Sequence, residues 1–213
     1  MKKIGILGSG IVGQTLGSGF IKHGYEVMIG TRNVSKLIEW TTAEGQYAHT
    51  GSFKEATAFG NSIVLAVKGI AAEAVLGLAG AQNLAGKTVM DATNPIDDAP
   101  PEDGVLHFFT KQNESLMEIL QTAYPDTHFV KAFNSVSHLR MVNPDFESRP
   151  TMFICGNNEK AKKEVAGILD QFGWDTEDFG LATSARGIEA LCMLYCTIGF
   201  RDNRWTQAFK LLT

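Results

Sequence analysis

Apolar runs of strand length alternate with helix-length segments through the first two-thirds of the chain. Residues 4–7 predict a first strand and 11–23 the helix that follows it. The next strand covers 26–29, and a polar helix begins near Ser35. A short strand near 47–49, a helix over 53–59, a strand over 63–67, a helix over 72–84 and a strand over 88–91 continue the alternation. These strands are short and nearly all apolar, which is the profile of strands covered on both faces. The pattern predicts an open, doubly wound, mostly parallel α/β sheet with right-handed crossovers.

Residues 95–104 predict a loop, with three prolines and four acidic residues. An insertion of that length usually borders a site or is mobile. Beyond it the pattern predicts a helix over 114–123, strands over 128–132 and 151–155, and a helix over 159–172. A last helix over 184–200 is apolar almost all round, so it is expected to be buried on every face. One side would pack on the sheet and the other on the core or a second subunit. No repeat, low-complexity tract or linker interrupts the chain. The expectation is a single domain over 1–213 with a short helical C-terminal extension.

The first candidate for chemistry is Gly8-Ser9-Gly10-Ile11-Val12-Gly13, which leaves the first strand and opens a helix. In that context the spacing is the dinucleotide-binding fingerprint of a Rossmann-type fold. Gly8 can make the tight turn, Gly10 lets backbone approach a pyrophosphate, and Gly13 lets the helix pack close to the strand. The helix's free N–H groups then face the phosphates.

The end of the second strand sorts the two nicotinamide dinucleotides. NAD-binding chains usually carry an acid there for the ribose hydroxyls. This chain reads Val27-Met28-Ile29-Gly30-Thr31-Arg32-Asn33 and carries none. Thr31 and Arg32 offer a hydroxyl and a guanidinium instead, and Arg can hold a phosphate through two parallel hydrogen bonds. Lys36 lies one turn further on. The expected cofactor is NADP(H).

Composition narrows the partners. The chain has 213 residues, 44% hydrophobic and 20% charged, with a net charge of −4. That balance argues against nucleic acid or an anionic membrane as the main partner. No apolar stretch reaches the roughly 18 residues of a membrane span. The N-terminal apolar run ends in the glycine cluster and reads as a strand, not as a signal peptide. Three cysteines, Cys155, Cys192 and Cys196, stand in apolar settings. An odd number in such settings fits a reducing cytoplasm. Cys192 and Cys196 are four apart on one helix, and with no further Cys–His cluster they read as core and not as a metal site.

The glycine turn and the Gly30-Thr31-Arg32 corner occur together with three further segments. These are Asp91-Ala92-Thr93-Asn94-Pro95-Ile96, Val130-Lys131-Ala132-Phe133-Asn134 and Ala185-Arg186-Gly187-Ile188-Glu189-Ala190-Leu191. In this combination the chain resembles the NADP oxidoreductases that depend on the deazaflavin coenzyme F420, from Lys3 to about Phe200. The resemblance implies that Ser9, Gly10, Ile11 and Val12 meet the pyrophosphate. It assigns Thr31, Arg32 and Lys36 to the 2′-phosphate, and Val67 and Lys68 to the ribose and adenine side. Asn94, Pro95, Ala132 and Asn134 would border the nicotinamide. Ile11 and Val12 stand where polar residues are common in the family.

A catalytic acid or base is not evident. His138 is the best placed of the five histidines. Hydride transfer between two flat rings needs neither, because orientation supplies most of the catalysis. The leading expectation is a reductase moving a hydride between NADPH and a small flat acceptor, a deazaflavin or flavin. A dehydrogenase of the 3-hydroxyacid or imine-reductase kind would need a further helical domain with a catalytic Lys. An NADP(H)-sensing module would use the same binding residues without turnover. The apolar last helix suggests a homodimer.

Overall fold

Order along the chain explains the sheet. The computed structural model describes residues 1–212. In it β1 (Lys3–Leu7), α1 (Ile11–Lys22), β2 (Glu26–Gly30), α2 (Ile38–Glu44), β3 (Ala48–Gly51) and α3 (Phe53–Phe59) form a first βαβαβ half with its closing helix. The second half runs β4 (Ser62–Leu65), α4 (Ala72–Ala79), α5 (Ala81–Leu84), β5 (Thr88–Asp91), α6 (Leu116–Ala123) and β6 (His128–Lys131). The six strands pair in the order β3-β2-β1-β4-β5-β6, all in parallel. This is the doubly wound Rossmann arrangement, whose order reverses between β1 and β4.

The strands are buried because helices cover both faces. Ile4, Ile6, Val27 and Ile29 face one apolar cluster with Phe20 and Trp40, while Leu7, Ile63 and Leu65 face a second with Leu76 and Leu120. The helix expected over 72–84 is two helices. Gly80 sits at φ 89° between them, a backbone setting that ends an α-helix.

Past β6 the chain adds β7 (Thr151–Ile154), α7 (Glu159–Gln171), β8 (Asp175–Asp178) and α8 (Ala185–Asp202). The strand expected over 151–155 does not join the main ladder in full. It pairs in parallel with β8 and meets β6 through one antiparallel bridge, Lys131 to Cys155. β8 reads Asp-Thr-Glu-Asp, an acidic edge strand with no apolar pattern to betray it.

The expectation that α8 is buried all round is corrected. Leu194 is 58% exposed and Phe200 46%. Its inner face carries Ile188, Glu189, Cys192 and Tyr195, all buried. An extended C-terminal segment, 203–212, covers another side: the Trp205 ring occupies the space a Cβ on Gly199 would need. Among the described residues no helix is long and apolar enough to cross a membrane.

Candidate cofactor and acceptor site

Residues at four strand ends meet along one edge of the sheet. Gly8 N donates to Gly30 O (3.1 Å), Ala66 N to Leu7 O (2.9 Å) and Ala92 N to Leu65 O (3.1 Å), so the chain leaves β1, β4 and β5 at one level. Thr31 leaves β2 beside them. The switch point between β1 and β4 opens a crevice there.

The three fingerprint glycines have different reasons to be glycine. Gly8 has φ 132°, and an added Cβ would lie 2.2 Å from Ala66 O. A Cβ on Gly13 would overlap Gly8 O, so helix and turn touch backbone to backbone. Gly10 is different: a Cβ there would meet no atom within 4 Å. The fold itself does not require glycine at that position. The free space beside Gly10 is a cradle that a side chain would fill and a phosphate can use. Gly10 is also the N-cap of α1, with no side-chain cap and no acid in the first turn. The orphan N–H groups and the positive helix end are left for an anion.

A cavity of about 590 Å³ runs from this turn. Ser9, Gly10, Ile11, Val12, Thr31, Arg32, Lys36, Val67 and Lys68 line it. Asn33, Phe53, Ala66, Ala71, Ala74, Val75, Leu78 and Ala92 line it too. Sequence reading did not single these out. The signal was present at α4, where its cap Ala71 and then Ala74, Val75 and Leu78 repeat at helical spacing after a strand end. Such a small-to-apolar stripe accommodates a flat ring.

At the far corner Thr31 is largely committed. Its Oγ1 lies 3.0 Å from Ser9 Oγ and accepts from Asn33 N (3.1 Å). Asn33 Oδ1 in turn accepts from Ser35 N (3.1 Å) and caps the short turn that carries Lys36. Thr31 therefore ties the phosphate turn to the β2 corner. Arg32 and Lys36 are exposed, and neither is in an ion pair among the described residues. Two unpaired cations flank this end of the cavity.

A second recess of about 210 Å³ shares Val67, Lys68 and Ala92 with the first and continues past Asn94 to Asp98. Asn94 lines it; Pro95, Ala132 and Asn134, expected beside it, are buried and line neither cavity. Asn134 is only 4% exposed. It donates from Nδ2 to Asn94 Oδ1 (3.0 Å) and to Ile188 O of α8 (2.9 Å), and its carbonyl accepts from Asn94 Nδ2 (2.8 Å). Its role here is to bond the recess wall to α8. His138 lines neither cavity. It sits in a one-turn 3₁₀ helix (His138–Arg140), half-buried, with Nδ1 3.5 Å from Ser137 Oγ.

Beneath the recess lies a charge network that sequence reading missed. Lys131 Nζ is 2.6 Å from Asp91 Oδ2 and 2.8 Å from Glu189 Oε1, with no side chain of the three more than 2% exposed. Lys131 also donates to Thr93 O (2.9 Å). Asp91 Oδ1 accepts from Thr93 N and Oγ1. Glu189 accepts from Leu116 N (2.9 Å) and Met117 N (3.0 Å), so it caps α6 from outside. Burial alone would lower the Lys131 pKa, but the two carboxylates more than offset it and hold the ammonium charged. The network pins the exits of β5 and β6, α6 and α8 to one another. Phe133, just past Lys131, takes φ 63°, a left-handed setting that a bulky residue rarely adopts.

Comparison with known proteins follows the same residues. A family described as NADP oxidoreductase coenzyme F420-dependent matches residues 3–95, from β1 through the Asn94 loop. A solved structure from Arthrobacter sp. FB24, put forward as an F420-dependent NADP reductase, superposes with a TM-score of 0.92 at 31% identity and covers 100% of both chains. This chain belongs to the F420-dependent NADP oxidoreductase family.

Metalloreductase STEAP3 of Rattus norvegicus is 28% identical over 89% of this chain but 36% of its own length. Metalloreductase STEAP2 of Homo sapiens is 27% identical over 92% and 36%. The chain thus spans about a third of these relatives. An imine reductase from Aspergillus terreus shares the fold, with a TM-score of 0.67 at 17% identity over 95% of this chain and 63% of that one.

Proposed function

We propose that this family member passes a hydride between NADPH and a flat heteroaromatic acceptor, a deazaflavin or a flavin. The observation that carries this reading is the continuous trough. It begins at unpaired Arg32 and Lys36, passes the uncapped end of α1 and ends in the recess at Asn94. The 2′-phosphate belongs at Arg32 and Lys36, the pyrophosphate at residues 9–12, the adenine on the α4 stripe, and the nicotinamide at the recess. Bound NADPH supplies the hydride from its nicotinamide ring.

The chain's own contribution is placement. Thr31 and Ser9 fix the corner to the phosphate turn, and Asn94 and Asn134 fix the recess wall. The recess offers amide, carboxylate and backbone groups. It lacks the pair of arginines that a small carboxylate substrate would want, and its lining holds no histidine to serve as acid or base. Two stacked rings need neither.

The test is turnover. Purified protein should oxidise NADPH when a panel of free flavins and deazaflavins is added, and should ignore small keto acids. Tight NADPH binding with no turnover on any member of the panel would overturn the reading in favour of an NADP(H)-sensing module.

A further inference from the structure

The segment after β6 is bonded to α8 at two points. Asn134 donates to Ile188 O, and Ser137 N donates to the Tyr195 hydroxyl (3.1 Å). Ile188 and Tyr195 are two turns apart on one helix face, so residues 134–137 lie along that face. Asn94 of the recess is one hydrogen bond away from this segment.

The Tyr195 hydroxyl has one proton to give, and it gives it to Trp205 O (2.5 Å) in the C-terminal segment. With that proton committed, the oxygen can face Ser137 only as an acceptor. The segment is itself held in place. Gln207 Nε2 donates to Tyr195 O (3.0 Å), and the Trp205 ring meets Phe200 edge-on at 5.2 Å. Leu211 N donates to Thr151 Oγ1 of β7. Ser137 caps the 3₁₀ turn of His138 by accepting from Leu139 N (3.3 Å). The orientation of that cap thus depends on a hydroxyl whose own orientation is set by the C-terminal segment.

We propose that Tyr195 is a positioning residue for the acceptor. Its hydroxyl holds Ser137, and through residues 134–137 the Asn134 contact with Asn94, in register with the recess, and residues 203–212 act as the strap that orients the hydroxyl. This rests on the hydride-transfer reading above, which brings the two rings together at the recess that Asn94 lines and Asn134 braces. Tyr195 itself is buried and lines neither cavity.

Tyr195→Phe removes one oxygen and keeps the ring. Loss of one such bond corresponds to about ten-fold. The expected result is an acceptor KM raised about ten-fold with the Kd for NADPH unchanged, and faster hydrogen exchange at the Ser137 amide. Gln207→Ala, which loosens the strap without touching the wall, should move acceptor KM in the same direction by less. A purely structural role would lower thermal stability and weaken both ligands together, and that result overturns the proposal. So does an unchanged acceptor KM in Tyr195→Phe. If the unmodified protein turns over no flavin or deazaflavin, the parent reading fails and this one with it. If it does turn one over and Tyr195→Phe matches it, only the positioning role fails.

Discussion

The Lys131 ammonium lies 2.6 Å from the Asp91 carboxylate at the centre of the molecule, with neither side chain exposed. The two residues end adjacent parallel strands, β6 and β5, and are partners in register. Each precedes a segment that walls the recess. Removing one member of such a pair leaves the other charged and unpaired in a dry interior, at a cost of about 3–5 kcal/mol. Lys131→Met should therefore lower the urea midpoint by that equivalent, while Lys131→Met combined with Asp91→Asn should cost less than the two single changes added together. A loss under about 1 kcal/mol for Lys131→Met would show that the network is not coupled as described.

Alkaline stability should decline before Lys131 titrates. Burial pushes the Cys155 thiol up to about 12, with its Sγ against Met117 Sδ at 3.8 Å. The unfolded thiol titrates near 8.5. A group raised in the folded state stabilises fully below the unfolded value, and that contribution fades as pH rises toward the folded one. Between pH 8.5 and 12 the slope is about 1.36 kcal/mol per pH unit. Lys131, also raised, keeps its contribution up to about pH 10.4. Denaturant titrations at pH 8 and pH 10 should show the stability gap between the unmodified protein and Cys155→Ala narrowing. A constant gap would contradict the burial argument.

The roles of Gly8 and Gly10 in the glycine turn can be separated. Gly10→Ala adds a methyl to open space, so the thermal midpoint should hold within a few degrees. NADPH affinity should fall at least about ten-fold, because the methyl fills the phosphate cradle. Gly8→Ala puts a Cβ 2.2 Å from Ala66 O at φ 132° and should destabilise the fold itself. Calorimetry of both variants, with and without NADPH, would distinguish them. Equal thermal losses would erase the distinction.

Cofactor preference should reside in Arg32. The unmodified protein is expected to bind NADPH at least about ten-fold more tightly than NADH, since only NADPH brings a phosphate to that guanidinium. Arg32→Asp should remove or invert the preference. Equal affinity of the unmodified protein for both cofactors would refute the assignment.

The outward face of α8 should pair two copies about a two-fold axis. Leu194 is 58% exposed there, with Leu191, Met193 and Ile198 partly so. Light scattering at micromolar concentration should report a dimer, and Leu194→Glu a monomer. A stable monomer of the unmodified protein would mean that the C-terminal strap alone covers the helix.

By itself the sequence determined the βαβ order, the glycine turn, and the cation pair at the end of β2. Each of these is local. Strand periodicity, a helix opened by glycines and the residue after a strand depend on neighbours within one supersecondary unit. Helix breaks were less legible, because Gly80 acts through its φ and not through its hydropathy. β8 was invisible because an acidic edge strand needs no apolar alternation. Tertiary structure alone decided the rest. Asp91, Lys131 and Glu189 lie 40 and 58 residues apart in sequence, and nothing within any one segment marks them as partners. They meet because parallel register sets β5 beside β6 and because α8 returns across the strand exits. Likewise Tyr195, Ser137 and Trp205 come together only when the chain beyond α8 folds back. A charge or hydroxyl can be read from sequence, but whether it is solvated, paired or buried depends on contacts between distant segments, and only the folded chain supplies those.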